Sequence, residues 1–141
     1  MQLQALIATL PNGFAAVVSG AAEGSMSDRE LTKRCGFLDY LEEGDTVLAD
    51  RGFTIEDLVL EKKAKLVIPP FLRGRKKFTY KELVQSRLIT RARIHVERFN
   101  QRLKLYKFIS DVPVEHHKLE LFDDALYVCS MLVNFSQVFA K

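Results

Sequence analysis

Cysteine is scarce: the 141 residues hold two, Cys35 and Cys129. They stand far apart and match no metal-binding or redox spacing, which excludes a thiolate zinc cluster and a dithiol redox centre. The pattern fits reduced thiols in an intracellular protein. Basic residues are missing from the whole N-terminal stretch, where Arg29 is the first Lys or Arg. An apolar start without a basic flank is no secretory signal, and the Pro11-Asn12-Gly13 turn breaks it far short of a membrane span. No membrane association is therefore expected. No internal repeat and no low-complexity tract occurs. The nearest thing to a linker is "FLRGRKKFT" (71–79), a basic, glycine-containing stretch that reads as an exposed loop.

What is present is the composition of a globular protein. A length of 141 residues suits one domain, 48% of it apolar and 28% charged. The formal net charge of +3 hides a segregation. From Arg73 to Lys107 there are twelve Lys or Arg against two acids, Glu82 and Glu97, a local charge of +10 that leaves the rest of the chain at −7. Such a block is either the footprint of a polyanion, most often nucleic acid, or a solvated charged helix face.

Along the chain, "QLQALIATL" (2–10) and "FAAVVSG" (14–20) flank the Asn-Gly turn and predict a hairpin. The stretch 25–42 predicts a helix capped by Ser27 or Asp28, with Leu31, Cys35, Leu38 and Leu41 at helical spacing and Gly36 weakening its middle. "TVLAD" (46–50) reads as a short strand without alternation, covered on both faces. A short helix over 54–64 and a strand over 65–70, stopped by two prolines, follow. Thr79 to about Ile109 predicts a long helix, interrupted or not, with Ala92, Val96, Phe99, Leu103 and Tyr106 as one apolar stripe. A final apolar helix covers 119–139. Strands alternating with helices after a hairpin predict a three-layer α/β fold with a mixed sheet, whose functional groups collect at strand ends.

Asp50 ends one of those strands. A lone carboxylate there is a helix cap or turn former unless it has a partner. The candidate partner is Glu97, set among Arg91, Arg93, Arg98 and Arg102, where it either neutralises arginines or leans from the edge of the apolar stripe toward the sheet. Two converging carboxylates repel unless a cation lies between them, and hard oxygen donors select Mg²⁺ or Mn²⁺. A metal pair can activate water and stabilise a leaving oxygen in phosphodiester cleavage.

Four stretches carry a resemblance: "GSMSDREL", "GDTVLADRGF", "LVIPPFLRG" and "RARIHVERFNQRLK", followed by the closing "LVNF". In this order they resemble the DDE-type transposase nuclease domain of the PIF/Harbinger group, over residues 1–141 as the C-terminal two-thirds of that domain. The resemblance implies an RNase H-like fold with an Asp, Asp, Glu triad, a divalent cofactor (Mg²⁺ or Mn²⁺), DNA as substrate and a nuclear location, with cytoplasm as the alternative. By motif, Asp50 matches the second Asp and Glu97 the Glu, so both are the expected catalytic and metal-binding residues. Gly52 is expected to permit the turn after the strand, and Asp28 matches the "SD" of the family pattern as a helix cap. The family's first Asp, and the central strand that carries it, lie upstream of the segment at which this chain starts. The resemblance therefore implies a chain that binds Mg²⁺ weakly, cleaves negligibly and folds with an incomplete sheet.

Arg73, Arg75, Lys76 and Lys77 form a candidate phosphate-contacting loop or a short nuclear-import signal, and Arg91, Arg98 and Arg102 are candidate DNA contacts on the helix. Arg51 can steer phosphate, pair with Glu97 or occupy the surface. His95 is two residues from Glu97 and so on another face of the helix. His116 and His117 are adjacent on a predicted helix start and point apart, which disfavours a shared metal. Two readings stand. One is a metal-dependent DNA endonuclease or transposase catalytic domain. The other is a non-catalytic DNA- or protein-binding module of the same ancestry. The partners expected are DNA and a protein that carries a DNA-binding domain.

Overall fold

The computed structural model describes residues 3–110 and 119–139. It is a mixed α/β structure that divides into two compact units, Met1–Phe37 with His95–Lys141, and Leu38–Ile94. The predicted pair His116 and His117 lies outside the described residues.

The first unit begins with the expected hairpin, and it is longer than the turn alone suggests. Strand β2 (Ile7–Thr9) pairs antiparallel with β3 (Ala15–Val18), Ile7 opposite Val18. Beyond them β1 (Leu3–Gln4) pairs with β4 (Ala22–Glu23), Leu3 opposite Glu23. Between the two ladders Ser19 substitutes for a regular strand position. Its backbone N–H donates to the Leu6 carbonyl at 2.9 Å, and its hydroxyl accepts from the Leu6 N–H at 2.7 Å. The register slips by one residue there, as at a β-bulge, and the displaced backbone finds partners elsewhere. The Ala21 N–H donates to Asp123 Oδ1 at 2.5 Å. A Cβ on neighbouring Gly20 would stand 3.0 Å from Asp123 Oδ2, so the carboxylate would have to give by a few tenths of an ångström to admit one.

A second slip lies between Ala8 and Thr9, beside Ala15. Here Asn134 takes the place of a strand: Ala15 N–H donates to Asn134 Oδ1 at 2.9 Å and Asn134 Nδ2 donates to the Ala15 carbonyl at 3.0 Å. Asn134 comes from α5 (Leu119–Phe139), whose bounds are those the sequence predicts. Asn134→Ala should leave two half-buried backbone groups unpaired and cost about 1–3 kcal/mol. Asn134→Asp should cost as much, because a carboxylate oxygen would face the Ala15 carbonyl. Urea unfolding followed by circular dichroism measures both.

Helix α1 (Asp28–Arg34) is capped by Ser27, whose side chain accepts from the Glu30 N–H at 3.2 Å. Asp28 is therefore not the cap. It is the first helical residue, and its carboxylate accepts from Gln4 Nε2 at 2.7 Å, which ties α1 to β1. The predicted helix over 25–42 is cut at Gly36, which has φ +76° and no side chain to resist it. A 3₁₀ turn, Phe37–Tyr40, continues from there. The core of this unit is Phe99, Leu103, Leu126, Cys129 and Val133, with Ile7, Ala15, Val18, Tyr106, Ile109 and Phe122 packed against it. Burial pushes the Cys129 thiol pKa up. Cys35 and Cys129 are both free thiols.

In the second unit β5 (Thr46–Leu48) crosses through α2 (Glu56–Glu61) to parallel β6 (Lys65–Val67), Val47 opposite Leu66. Ile55, Leu58, Val59 and Ala64 form its core. Among the described residues the strands thus pair in three two-stranded sheets, not in the one mixed sheet expected: the two antiparallel pairs are parts of one interrupted hairpin, and the parallel pair is joined through α2. β5 is not covered on both faces: Thr46 and Leu48 (40% exposed) lie on an open face, while Val47 between them is half-buried. The long helix α3 (Tyr80–Leu103) starts one residue after its predicted limit, and a break at 104–106 separates it from the short α4 (Lys107–Ser110). Its stripe of Ala92, Val96, Phe99 and Leu103 is half-buried or buried throughout, as the periodicity predicts. No described helix is long and apolar enough to cross a membrane.

Candidate active site

Strand β5 runs one residue past its formal end, where the Ala49 N–H still donates to the Val67 carbonyl at 3.1 Å. The chain then turns. The Asp50 carbonyl accepts from the Phe53 N–H at 3.1 Å, so the backbone of Asp50 does form a turn. Its side chain does not serve that turn and does not cap a helix; α2 begins at Glu56, after an N-cap residue, Ile55, that makes no side-chain cap. The carboxylate points outward, 60% exposed, and pairs with the Arg93 guanidinium.

The second unit's part of α3 brings Arg93 there. Gln85, Ile89 and Arg93 follow at four-residue spacing, on one side of the helix. Gln85 Nε2 donates to the Ile68 carbonyl at 3.0 Å, and Ile89 is buried. That row is thus the side packed beside the end of β6, and Arg93 is its third step. Glu97, four residues further on in α3, belongs to the first unit and is exposed.

Asp50, Arg51, Gly52, Pro69 and Arg93 line an open depression of about 390 Å³. Arg51 is anchored: its Nη2 donates to the Pro70 carbonyl at 2.7 Å, and its guanidinium lies 4.7 Å from the centre of the Phe71 ring. Of the two prolines that end β6, Pro69 lines the depression and Pro70 holds Arg51. Gly52 departs from expectation. Its φ is not positive and a Cβ there would meet nothing within 4 Å, so the turn does not require glycine. A side chain would stand in the depression instead.

The basic loop is exposed, with Arg73 and Gly74 at positive φ forming its tip. Arg73, Lys76 and Lys77 extend into solvent. Arg75 folds back, donating through Nη2 to Glu82 Oε1 at 2.5 Å and through Nε to the Leu72 carbonyl at 3.2 Å. Thr79 and Glu82 complete a reciprocal cap of α3: the Thr79 N–H donates to Glu82 Oε2 at 2.7 Å and the Glu82 N–H to Thr79 Oγ1 at 3.3 Å. The Arg75 hydrogen bond first, and the Thr79 N–H second, lower the Glu82 pKa from 4.5 to about 2. A depressed carboxylate pKa means that the clasp is complete above about 4.5 and is lost as pH falls toward 2. In an NMR titration the Thr79 amide should move with a midpoint near 2. A midpoint at the ordinary Glu value would mean that the clasp does not form in solution.

On α3, Arg91, Arg98 and Arg102 are all exposed. Their spacing of seven and four places them within about 40° of one another, on a different side from the row of Arg93 and Glu97. His95 is half-buried and sits closer to that arginine side. The predicted cations thus fall into two groups, a loop tip and a helix stripe.

Arg93, Asp123 and Asn134 were not marked as candidates by the sequence. The last two left a signal, a carboxylate and an amide inside a largely apolar helix. Arg93 left only its four-residue spacing from Glu97.

Asp50 offers hard carboxylate oxygens to an open, solvent-filled depression, which suits Mg²⁺ or Mn²⁺. Among the described residues no group of three or more His, Cys, Asp or Glu gathers as a ready metal cage. Mg²⁺ does not require one, since it is usually held by one or two carboxylates together with substrate phosphates and water. A family model described as DDE superfamily endonuclease matches residues 2–134. Comparison with curated proteins gives no match, and comparison with solved structures gives none.

Proposed function

The chain belongs to the DDE superfamily endonuclease family, and from that premise we propose that it is a metal-dependent DNA endonuclease domain of the transposase-derived, PIF/Harbinger kind, with an RNase H-like plan over residues 1–141. The observation that carries this reading is Asp50, a carboxylate at the exit of a strand, directed into an open depression and not consumed by a cap. Asp50 and Glu97 are the proposed metal ligands and catalytic carboxylates. A bound Mg²⁺ or Mn²⁺ supplies activation of water and stabilisation of the leaving oxygen.

The chain's own residues do the rest. Arg51, fixed by Pro70 and Phe71, gives the depression a rigid positive wall. Gly52 keeps it open for a phosphodiester. Arg73, Lys76 and Lys77 at the loop tip, together with Arg91, Arg98 and Arg102, hold the DNA backbone; Arg75 orders that loop through Glu82. Such contacts neutralise phosphates without reading bases, so binding is largely independent of sequence. A protein partner that carries a DNA-binding domain would supply target choice. With DNA as its substrate, the proposed location is the nucleus, with cytoplasm as the alternative.

The test is metal removal. Nicking of a supercoiled plasmid is measured with Mg²⁺, with Mn²⁺ and with EDTA, in the 141-residue chain and in the longest natural polypeptide that contains it. Nicking should require the divalent ion. Nicking that persists in EDTA, or none in either form with both metals, overturns the proposal in favour of the non-catalytic binding module, a reading that the family match does not favour.

A further inference from the structure

The depression contains one feature that metal binding alone does not explain: the carboxylate offered to a cation is already paired. Arg93 reaches Asp50 across 43 positions of sequence, so the pair is not a by-product of helix spacing. Both partners are about half exposed, Arg93 at 49% and Asp50 at 60%. An ion pair this exposed is weak and readily exchanged. The depression's other cation, Arg51, is held by the Pro70 carbonyl and the Phe71 ring and needs no carboxylate.

We infer that Arg93 is the resident counter-ion of Asp50, and that metal loading is an exchange in which the divalent ion takes the carboxylate while Arg93 passes to a DNA phosphate. This rests on the reading of Asp50 as a metal ligand. Without DNA, an arriving cation competes with Arg93 and is repelled by it. With DNA, a phosphate in the depression accepts the guanidinium and also offers oxygens to the metal. Metal and DNA then raise each other's affinity by the same factor, as linkage requires. Arg93 is by this argument a positioning residue that couples the two ligands and keeps the site weakly loaded until substrate arrives.

Mn²⁺ binding, followed by the electron paramagnetic resonance signal of the free ion, tests this in the 141-residue chain and its variants Arg93→Gln and Asp50→Asn. Each is measured with and without a short phosphorothioate duplex that resists cleavage. Asp50→Asn with the duplex also gives the Mn²⁺ taken up by DNA alone. Removing one positive charge at contact distance in a high-dielectric setting should tighten Mn²⁺ binding by Arg93→Gln about tenfold without DNA. The duplex should tighten Mn²⁺ binding by the unaltered chain about tenfold more than it tightens that of Arg93→Gln, which gains only the phosphate oxygens. Arg93→Met, which keeps the alkyl stem, should repeat Arg93→Gln, and unchanged helical circular dichroism shows that the variants fold.

If Asp50→Asn abolishes binding but Arg93→Gln binds no tighter than the unaltered chain, the exchange is overturned and the Asp50 reading survives. If Asp50→Asn binds as the unaltered chain does, or if no form binds Mn²⁺, the Asp50 reading fails and the exchange fails with it.

Discussion

Replacing Arg91, Arg98 and Arg102 together with Ala should lower affinity for a DNA duplex by about 10²–10³-fold at roughly 0.1 M salt, and should flatten the slope of log affinity against log salt by about 2.7. The number follows from counterion release. Each phosphate contact contributes roughly 0.9 to that slope, which near 0.1 M salt is about 0.9 decade of affinity. Three lost contacts remove close to three decades at most. The arginines qualify because all three are exposed and share one side of α3. Cations on one side of a helix can meet the phosphates of one backbone, whereas scattered cations cannot. Fluorescence anisotropy across a salt series reads both quantities. An unchanged slope would assign the stripe to solvent and remove it from the interface.

The loop gives a useful contrast. Arg75 is already paired with Glu82 and bonded to the Leu72 carbonyl, so losing it should act by disordering the loop. Lys76 and Lys77 can each add at most about one phosphate contact. Substituting these two should therefore flatten the slope by at most about 1.8 and cost about one decade less affinity than substituting the stripe. The basic block from Arg73 to Lys107 is uniform in sequence and divides by geometry into separate tasks: a loop tip, a loop clasp, a counter-ion and a helix stripe.

This division shows what could be read before the structure and what could not. Local signals were read well. Pro11-Asn12-Gly13 marked its hairpin, the four-and-three spacing from Ala92 to Leu103 marked a buried side of α3, and α5 has its predicted bounds. These features depend on neighbours within a turn or two. What escaped depends on long-range partners. Asn134 repairs a strand position 119 residues away, Asp123 serves a bulge 102 residues away, and Arg93 meets Asp50 across 43. No periodicity encodes such pairs. Asp28 was misread for a related reason: Ser27 and Asp28 both suit a cap, and the Gln4 side chain that occupies Asp28 comes from a distant strand. Gly52 was misread because glycine after a strand suggests a left-handed turn, while here it leaves space. Asp50 stands at the strand end that its apolar run marks, while its partner Arg93 left no such signal; its role as a metal ligand is part of the proposal.

Phe99→Ala should be the most destabilising single substitution in the first unit, at about 3–5 kcal/mol. Phe99 has no solvent exposure and belongs to the cluster with Leu103, Leu126, Cys129 and Val133. Helix α3 delivers it, α5 covers it, and Ile7, Ala15 and Val18 of the hairpin pack against the same cluster. Truncating the ring removes buried apolar area and leaves a cavity that two helices and a hairpin cannot all close at once. Domains of this size are stable by only about 5–15 kcal/mol, so the loss is a large share of the total. Leu105, only six residues further on, is 80% exposed, and Leu105→Ala should stay within about 0.5 kcal/mol. Hydrogen exchange is the decisive measurement, because it resolves the units separately. Amides of α5 and β3 should lose protection in Phe99→Ala, while those of β5 and α2, whose core is Ile55, Leu58, Val59 and Ala64, should keep theirs. Equal loss in both sets would show that the two units unfold as one, and no loss in either would show that Phe99 is not the centre of the core.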